Sequence, residues 1–120
     1  MTSKNYLITG GTAGIGHSVA KSLADQGHNV IITGRDTQRV SNAAAALKCA
    51  GYVADSENLN DLTKLAEHLA KDHIKLDGLV LNAGVFYPKS FLETTPEDFD
   101  TTMSINTKGP FFTLQKLAPL

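Results

Sequence analysis

The sequence predicts an α/β protein: a parallel sheet with helices on both faces, wound in the doubly wound manner. Three observations point there. Short apolar runs alternate with helical patterns from Tyr6 to Leu117. The connections are short, and no linker-like stretch divides the 120 residues. The first apolar run turns through glycines straight into a helical pattern, at Thr9-Gly10-Gly11-Thr12-Ala13-Gly14-Ile15-Gly16. Strands separated by helices need crossover connections, which are right-handed and make the sheet parallel.

Each element has its own signal. Tyr6-Leu7-Ile8 reads as a short, fully buried strand. Ile15, Val19 and Leu23 recur every fourth residue, with Ala20 and Ala24 beside them, as one apolar face of a first helix. Gly27 is a helix stop. Asn29-Val30-Ile31-Ile32-Thr33 is the second strand, and Thr37 to Leu47, rich in alanine, the second helix. Cys49 to Ala54 carries a third, shorter strand. Leu59, Leu62, Leu65, Ala66 and Leu69 mark a third helix, and Asp77-Gly78 leads into a fourth strand, Leu79-Val80-Leu81. Thr95 as N-cap, Pro96 at the first helical position and Glu97 and Asp98 behind it start the last helix. No repeat at solenoid period and no low-complexity segment interrupts this order.

Composition bounds the function. The length suits one domain with a core of its own. Eleven basic and twelve acidic residues leave a net charge of −1, which argues against a general nucleic-acid surface. Cys49 is the single cysteine, so no internal disulfide forms; it reads as packing rather than as a nucleophile. No apolar run reaches membrane-spanning length, and Met1 to Asn5 lead directly into the first strand without a signal peptide. A soluble, cytoplasmic protein is the expectation. His17, His28, His68 and His73 lack metal-ligand spacing, so they read as surface or helix-end residues and no metal is expected.

The glycine turn carries the first chemistry. Glycines allow a tight turn and a close approach of backbone to ligand, and a helix start presents unpaired N–H groups at its positive end to a pyrophosphate. The spacing is Gly10-x-x-x-Gly14-x-Gly16. His17 stands where the lysine of a P-loop would follow the last glycine. Thr-Gly-x-x-x-Gly-x-Gly resembles the nucleotide-binding motif of the short-chain dehydrogenase/reductase family, and a plain strand-to-helix turn is the alternative. Asn82-Ala83-Gly84, after the fourth strand, resembles the family's Asn-Ala-Gly motif. Its small residues permit close approach of a cofactor, and Asn82 can pin neighbouring loops.

The resemblance implies a Rossmann-type sheet in the order 3-2-1-4, with residues 1–120 as a dinucleotide-binding half-domain incomplete at its C-terminus. It implies a cofactor site of Thr9, Gly10, Thr12, Ala13, Gly14, Ile15, Gly16, Arg35, Asp55, Ser56, Asn82, Ala83 and Gly84. Gly34 stands where an NAD-type acid would accept the ribose hydroxyls, and Arg35 follows it. A guanidinium holds a 2′-phosphate with charge-assisted hydrogen bonds, so NADP is favoured over NAD. Asp36 is the complication, since a slip of one residue would make it the acceptor. Arg39, one turn onward, either reinforces the positive site or faces solvent. Asp55 matches the family's adenine-binding Asp, with the next N–H at a ring nitrogen; capping of the following helix by Asp55 and Ser56 is the alternative.

Asn106, in Ser104-Ile105-Asn106-Thr107, matches the family's catalytic Asn, which bends its helix so that the main-chain carbonyl holds a water of the proton relay. Pro110, four residues on, lacks the N–H for that carbonyl, and Gly109 eases the bend; a kinked helix with no catalytic water is the alternative. The other members of the family's tetrad, Ser, Tyr and Lys, are missing. Tyr6, Tyr52 and Tyr87 are followed four residues later by Gly10, Ser56 and Phe91, so no Tyr-x-x-x-Lys pair occurs. Three readings stay open: part of an NADP-dependent oxidoreductase moving a hydride to or from a carbonyl carbon, a nucleotide-binding module without catalysis, or an interaction fragment. By itself this chain is expected to be inactive. A small-molecule substrate and a homo-oligomer are implied for the full-length protein, with no nucleic-acid or membrane partner. Phe86, Tyr87, Pro88 and Phe91 either touch substrate or pack within their loop. The last helix, apolar on more than one face, and the fourth strand at the sheet edge are expected to expose apolar surface.

Overall fold

A computed structural model describes residues 2–120. Four parallel strands form one sheet in the order β3-β2-β1-β4, with β1 at Asn5–Thr9, β2 at Asn29–Gly34, β3 at Ala50–Val53 and β4 at Gly78–Val80. β1 is central. It pairs Leu7 with Ile31 of β2 on one side and with Leu79 of β4 on the other. β3 continues from β2 through Ile31↔Ala50 to Gly34↔Val53. This is the Rossmann-type order expected, with β4 at an edge.

Helices cover both faces. Period-two alternation along β1 and β2 sends successive side chains to opposite sides, and both sides are buried, so the strands read as unbroken apolar runs. Ile8, Val30 and Ile32 pack with Ala20 of α1 (Gly14–Asp25) and Ala43 of α2 (Thr37–Leu47). Leu7 and Ile31 pack on the other side with Leu65 and Leu69 of α3 (Leu59–Lys71) and Leu117 of α5 (Gly109–Leu117). Leu7, Ile8 and Ile32 are fully buried, whereas Tyr6, expected to be buried with them, is half-buried. Gly27, at φ 88°, lies just after α1 as the expected stop.

Two boundaries differ from the sequence reading. β4 ends at Val80 and leaves Leu81 outside, because the next amides turn to a side chain rather than to a strand (below). The last helix is not one bent helix. α4 (Pro96–Met103) passes into a π-helical segment, Ser104–Lys108, and then into α5. The start of α4 is as read: the Thr95 hydroxyl accepts from the Asp98 N–H, and the Asp98 carboxylate accepts from the Thr95 N–H. Phe99, Met103, Phe111 and Leu114 are exposed along this stretch. No helix among the described residues is long and apolar enough to cross a membrane.

Candidate functional site

The carboxyl ends of the strands open onto one cleft of about 370 Å³. β2 and β3 lie on one side of β1 and β4 on the other, so the cleft sits where strand order reverses. Open α/β sheets bind ligands at that point.

The wall beneath the cleft is built by hydrogen bonds between the turns after β1 and β4. The buried Thr9 hydroxyl accepts from the N–H groups of Asn82 and Ala83, both at 3.0 Å. These bonds take the two amides out of the strand ladder and end β4. The Asn82 side-chain amide donates to the Gly10 carbonyl at 3.1 Å, so Asn82 does pin the neighbouring loop. Gly16 packs so tightly under this joint that a β-carbon would overlap the Gly10 carbonyl and the Asn82 amide. Gly14 has φ 61°, in the left-handed region.

The start of α1 has an unusual lack of capping. Ala13 occupies the N-cap position and offers no side-chain acceptor, and no acid stands in the first turn. By contrast α2, α3 and α4 are capped by Asp36, Asn58 and Thr95. The first amides of α1 are therefore left at the positive end of a helix with no side chain to satisfy them.

At the end of β2, Gly34 lies against Thr12 and Val40. A β-carbon there would come within 2.9 Å of the Thr12 methyl and 3.0 Å of a Val40 methyl, so a larger residue at this position would have to push those side chains aside. Asp36 is turned toward α2, where its Oδ1 accepts from the Arg39 N–H at 2.9 Å. Arg35, Asp36 and Arg39 all line the cleft.

At the end of β3, the alternative reading, in which Asp55 and Ser56 cap the next helix, does not hold. The chain makes an Asx turn first, Asp55 Oδ1 accepting from the Glu57 N–H at 2.9 Å. Asn58 is the cap, accepting from the N–H groups of Asn60 and Asp61 at 3.0 and 3.2 Å. Asp61 reaches back to accept from the Asp55 N–H at 2.9 Å, which ties the Asp55 segment to α3. An acid three residues after an N-cap Asn is a capping signal visible in the sequence.

Asn106 has a side-chain role that its sequence position did not announce. Its Oδ1 accepts from the Val85 N–H at 2.8 Å and its Nδ2 donates to the Val85 carbonyl at 2.7 Å, a two-point clamp on the loop after β4. The backbone around it is π-helical, with the Gly109 N–H reaching the Ser104 carbonyl five residues back. Gly109 does not ease a bend by unusual dihedrals, since its φ of −57° is helical. It is small because a β-carbon would lie 2.7 Å from the Ser56 carbonyl.

Of the residues singled out from sequence, Gly10, Thr12, Arg35, Asp55, Ser56, Ala83 and Gly84 line the cleft together. Thr9, Gly16 and Asn82 support it from behind. Ala13, Gly14, Ile15 and Asn106 are outside the lining. Ile15 is 78% exposed, so it does not share the buried face of Val19 and Leu23; the first turn of α1 gives it nothing to pack on. Val85 and Ile105 complete the lining without any signal in the sequence.

Elsewhere, Phe86 and Phe91 are 85% and 91% exposed, which overturns packing within their loop. Cys49 is half-buried against the α1–α2 side of the core, and burial pushes its thiol pKa up. His17 lies half-buried in the first turn of α1, at the helix end, with its Nδ1 unpartnered. Among the described residues no cluster of three or more His, Cys, Asp or Glu is placed to hold a metal.

Known proteins share this arrangement. An uncharacterised oxidoreductase of Thermotoga maritima is 37% identical over 90% of this chain and 44% of its own length. The short-chain dehydrogenase reductase 3c of Arabidopsis thaliana is 34% identical over 91% of this chain and 44% of its own. The solved RhlG/NADP active-site complex of Pseudomonas aeruginosa superposes with a TM-score of 0.94 at 29% identity, covering 100% of this chain and 48% of that one. The chain spans about half the length of the curated relatives it matches. Residues 4–120 match the family model described as short chain dehydrogenase. With the glycine turn, the Asn82-Ala83-Gly84 joint and the 3-2-1-4 sheet, that match makes the chain a member of the short-chain dehydrogenase family.

Proposed function

We propose that residues 1–120 are the dinucleotide-binding half-domain of an oxidoreductase and that they bind NADP in preference to NAD. The observation that carries this reading is the end of β2: Gly34, packed closely on Thr12 and Val40, supplies no ribose-binding acid, Asp36 is engaged in capping, and Arg35 lines the cleft. The uncapped start of α1 suits the pyrophosphate, and Asp55 and Ser56 suit the adenine. Thr12, Ala83 and Gly84 border the same space, with Thr9, Gly16 and Asn82 holding the turns; Ala13, Gly14 and Ile15, outside the lining, form the uncapped start of α1. The NADP in the RhlG complex, a protein so similar in fold, supports the same cofactor.

When bound, the nicotinamide exchanges a hydride with a carbonyl or alcohol carbon of a small-molecule substrate. Asn106 is the one member of the family's catalytic set in this sequence. Its side chain clamps Val85, and in this reading its main-chain carbonyl, for which Pro110 has no N–H to offer, holds a water of the proton relay. The chain alone, without a Tyr-x-x-x-Lys pair, is inactive in this reading, and a homo-oligomer covers the exposed apolar helix. A cytoplasmic location goes with the same reading.

Replacing Arg35 tests the cofactor choice. Arg35→Ala should weaken NADP binding on the order of 10- to 100-fold, the range of charge-assisted hydrogen bonds to one phosphate. NAD binding should stay as it was. Equal loss for both cofactors, in calorimetric titrations, refutes the 2′-phosphate role.

A further inference from the structure

The turn after β3 has a support from outside the cleft lining. We propose that Asp61, in the first turn of α3, is a positioning residue for the base of the nucleotide. Its carboxylate fixes the Asp55-Ser56 edge so that the cleft accepts adenine and rejects a base of reversed hydrogen-bond pattern. The inference rests on the reading of Asp55 and Ser56 as the adenine contact and adds the residue that sets their geometry.

Asp55 is held at almost every polar atom. Its carbonyl accepts from the Asn58 N–H at 2.9 Å, and its Oδ1 accepts from the Glu57 N–H at 2.9 Å. Both of those bonds stay within the turn. Its own N–H donates to Asp61 Oδ2 at 2.9 Å, which ties the turn to α3, whose Leu62 and Leu65 are buried. A plain capping acid at this helix position would accept from the N–H of the cap, Asn58. Here that N–H goes to the Asp55 carbonyl, and Asp61 passes over it to Asp55. Gly109 of α5 closes on the Ser56 carbonyl, where a β-carbon would come within 2.7 Å.

Two atoms are left without a partner among the described residues: Asp55 Oδ2, an acceptor, and the Ser56 N–H, a donor. Both residues line the cleft. Adenine presents an amino donor beside a ring-nitrogen acceptor, which matches that pair. Hypoxanthine presents a carbonyl acceptor beside a ring N–H, so acceptor would face acceptor and donor would face donor. Polar groups left unpaired in this way give strong rejection. The rejection requires both atoms at a fixed spacing, because a loose turn would rotate to satisfy either base. Asp61 supplies the side-chain bond that prevents this rotation.

The test titrates adenosine 5′-monophosphate and inosine 5′-monophosphate, which differ only at that base edge, calorimetrically into the chain. The unsubstituted protein should bind the adenosine form about tenfold more tightly. Asp61→Ala should lower adenosine binding by roughly that factor and leave inosine binding as it was. Asp61→Asn keeps an acceptor oxygen and should keep the preference. Equal weakening of both nucleotides in Asp61→Ala would mean that Asp61 serves only the fold of α3 and would overturn the positioning role. An unchanged preference in Asp61→Ala, or its loss in Asp61→Asn as well, would overturn it too. Amide hydrogen exchange checks the unsubstituted protein directly: the Asp55 N–H should be protected before any nucleotide is added, and free exchange there would contradict a fixed turn. Absence of any preference in the unsubstituted protein, with that N–H protected, would overturn the adenine reading and the inference with it.

Discussion

Two glycines of the first turn are there for different reasons, and substitution separates them. Gly14 needs its positive φ but has open space around it, so Gly14→Ala should cost about 1–2 kcal/mol of backbone strain. Gly16 has an ordinary helical setting but no space: its β-carbon would strike the Gly10 carbonyl and the Asn82 amide. Gly16→Ala should therefore break the joint between the turns after β1 and β4, with a larger loss in denaturant-induced unfolding than Gly14→Ala. The reverse ranking would contradict the close packing described. The motif spacing marks both positions, but strain at one and contact at the other depend on what the fold brings beside each. The same holds for Asn82, legible as a pin, and Asn106, whose clamp on Val85 depends on two segments 21 residues apart that no local pattern connects.

Local capping rules explain why some boundaries were legible and others were not. Thr95, Pro96 and Asp98 specify the start of α4 by themselves, and the hydrogen bonds follow the sequence. Thr95→Ala should destabilise the protein by about 1 kcal/mol, measured by chemical denaturation. The Asp98 carboxylate is held down to about 2, first by the hydrogen bond from Lys89 and then by the Thr95 N–H. A folded value below the ordinary carboxylate value means that this contribution is complete above about pH 4 and fades as pH falls toward 2. Asp98→Asn should remove that acid-dependent part. By contrast, no local signal marks the end of β4, because Thr9, far away in sequence, draws off the following amides. The π segment was read as a bend at Pro110, since a missing N–H says that a regular helix fails but not what replaces it.

Both faces of the core follow from the two-residue period along β1 and β2, and the succession of strands and helices makes the sheet parallel, whereas the strand order was legible only through the resemblance to the short-chain dehydrogenase family. Leu7 and Ile8, neighbours in sequence, serve opposite cores and fix the two helix layers in place. The cleft follows from that topology, because the reversal of strand order beside β1 brings four turns to one edge. What the alternation could not give was the chemistry at that edge, which depends on the room beside Gly34 and on where the Asp36 carboxylate turns. A single comparison decides whether this edge is an NADP site: calorimetric titration of the chain with NADP and with NAD under the same buffer and salt. NADP should bind at least about tenfold more tightly, as one charge-assisted phosphate contact requires. Equal affinity, or a preference for NAD, would contradict the assignment.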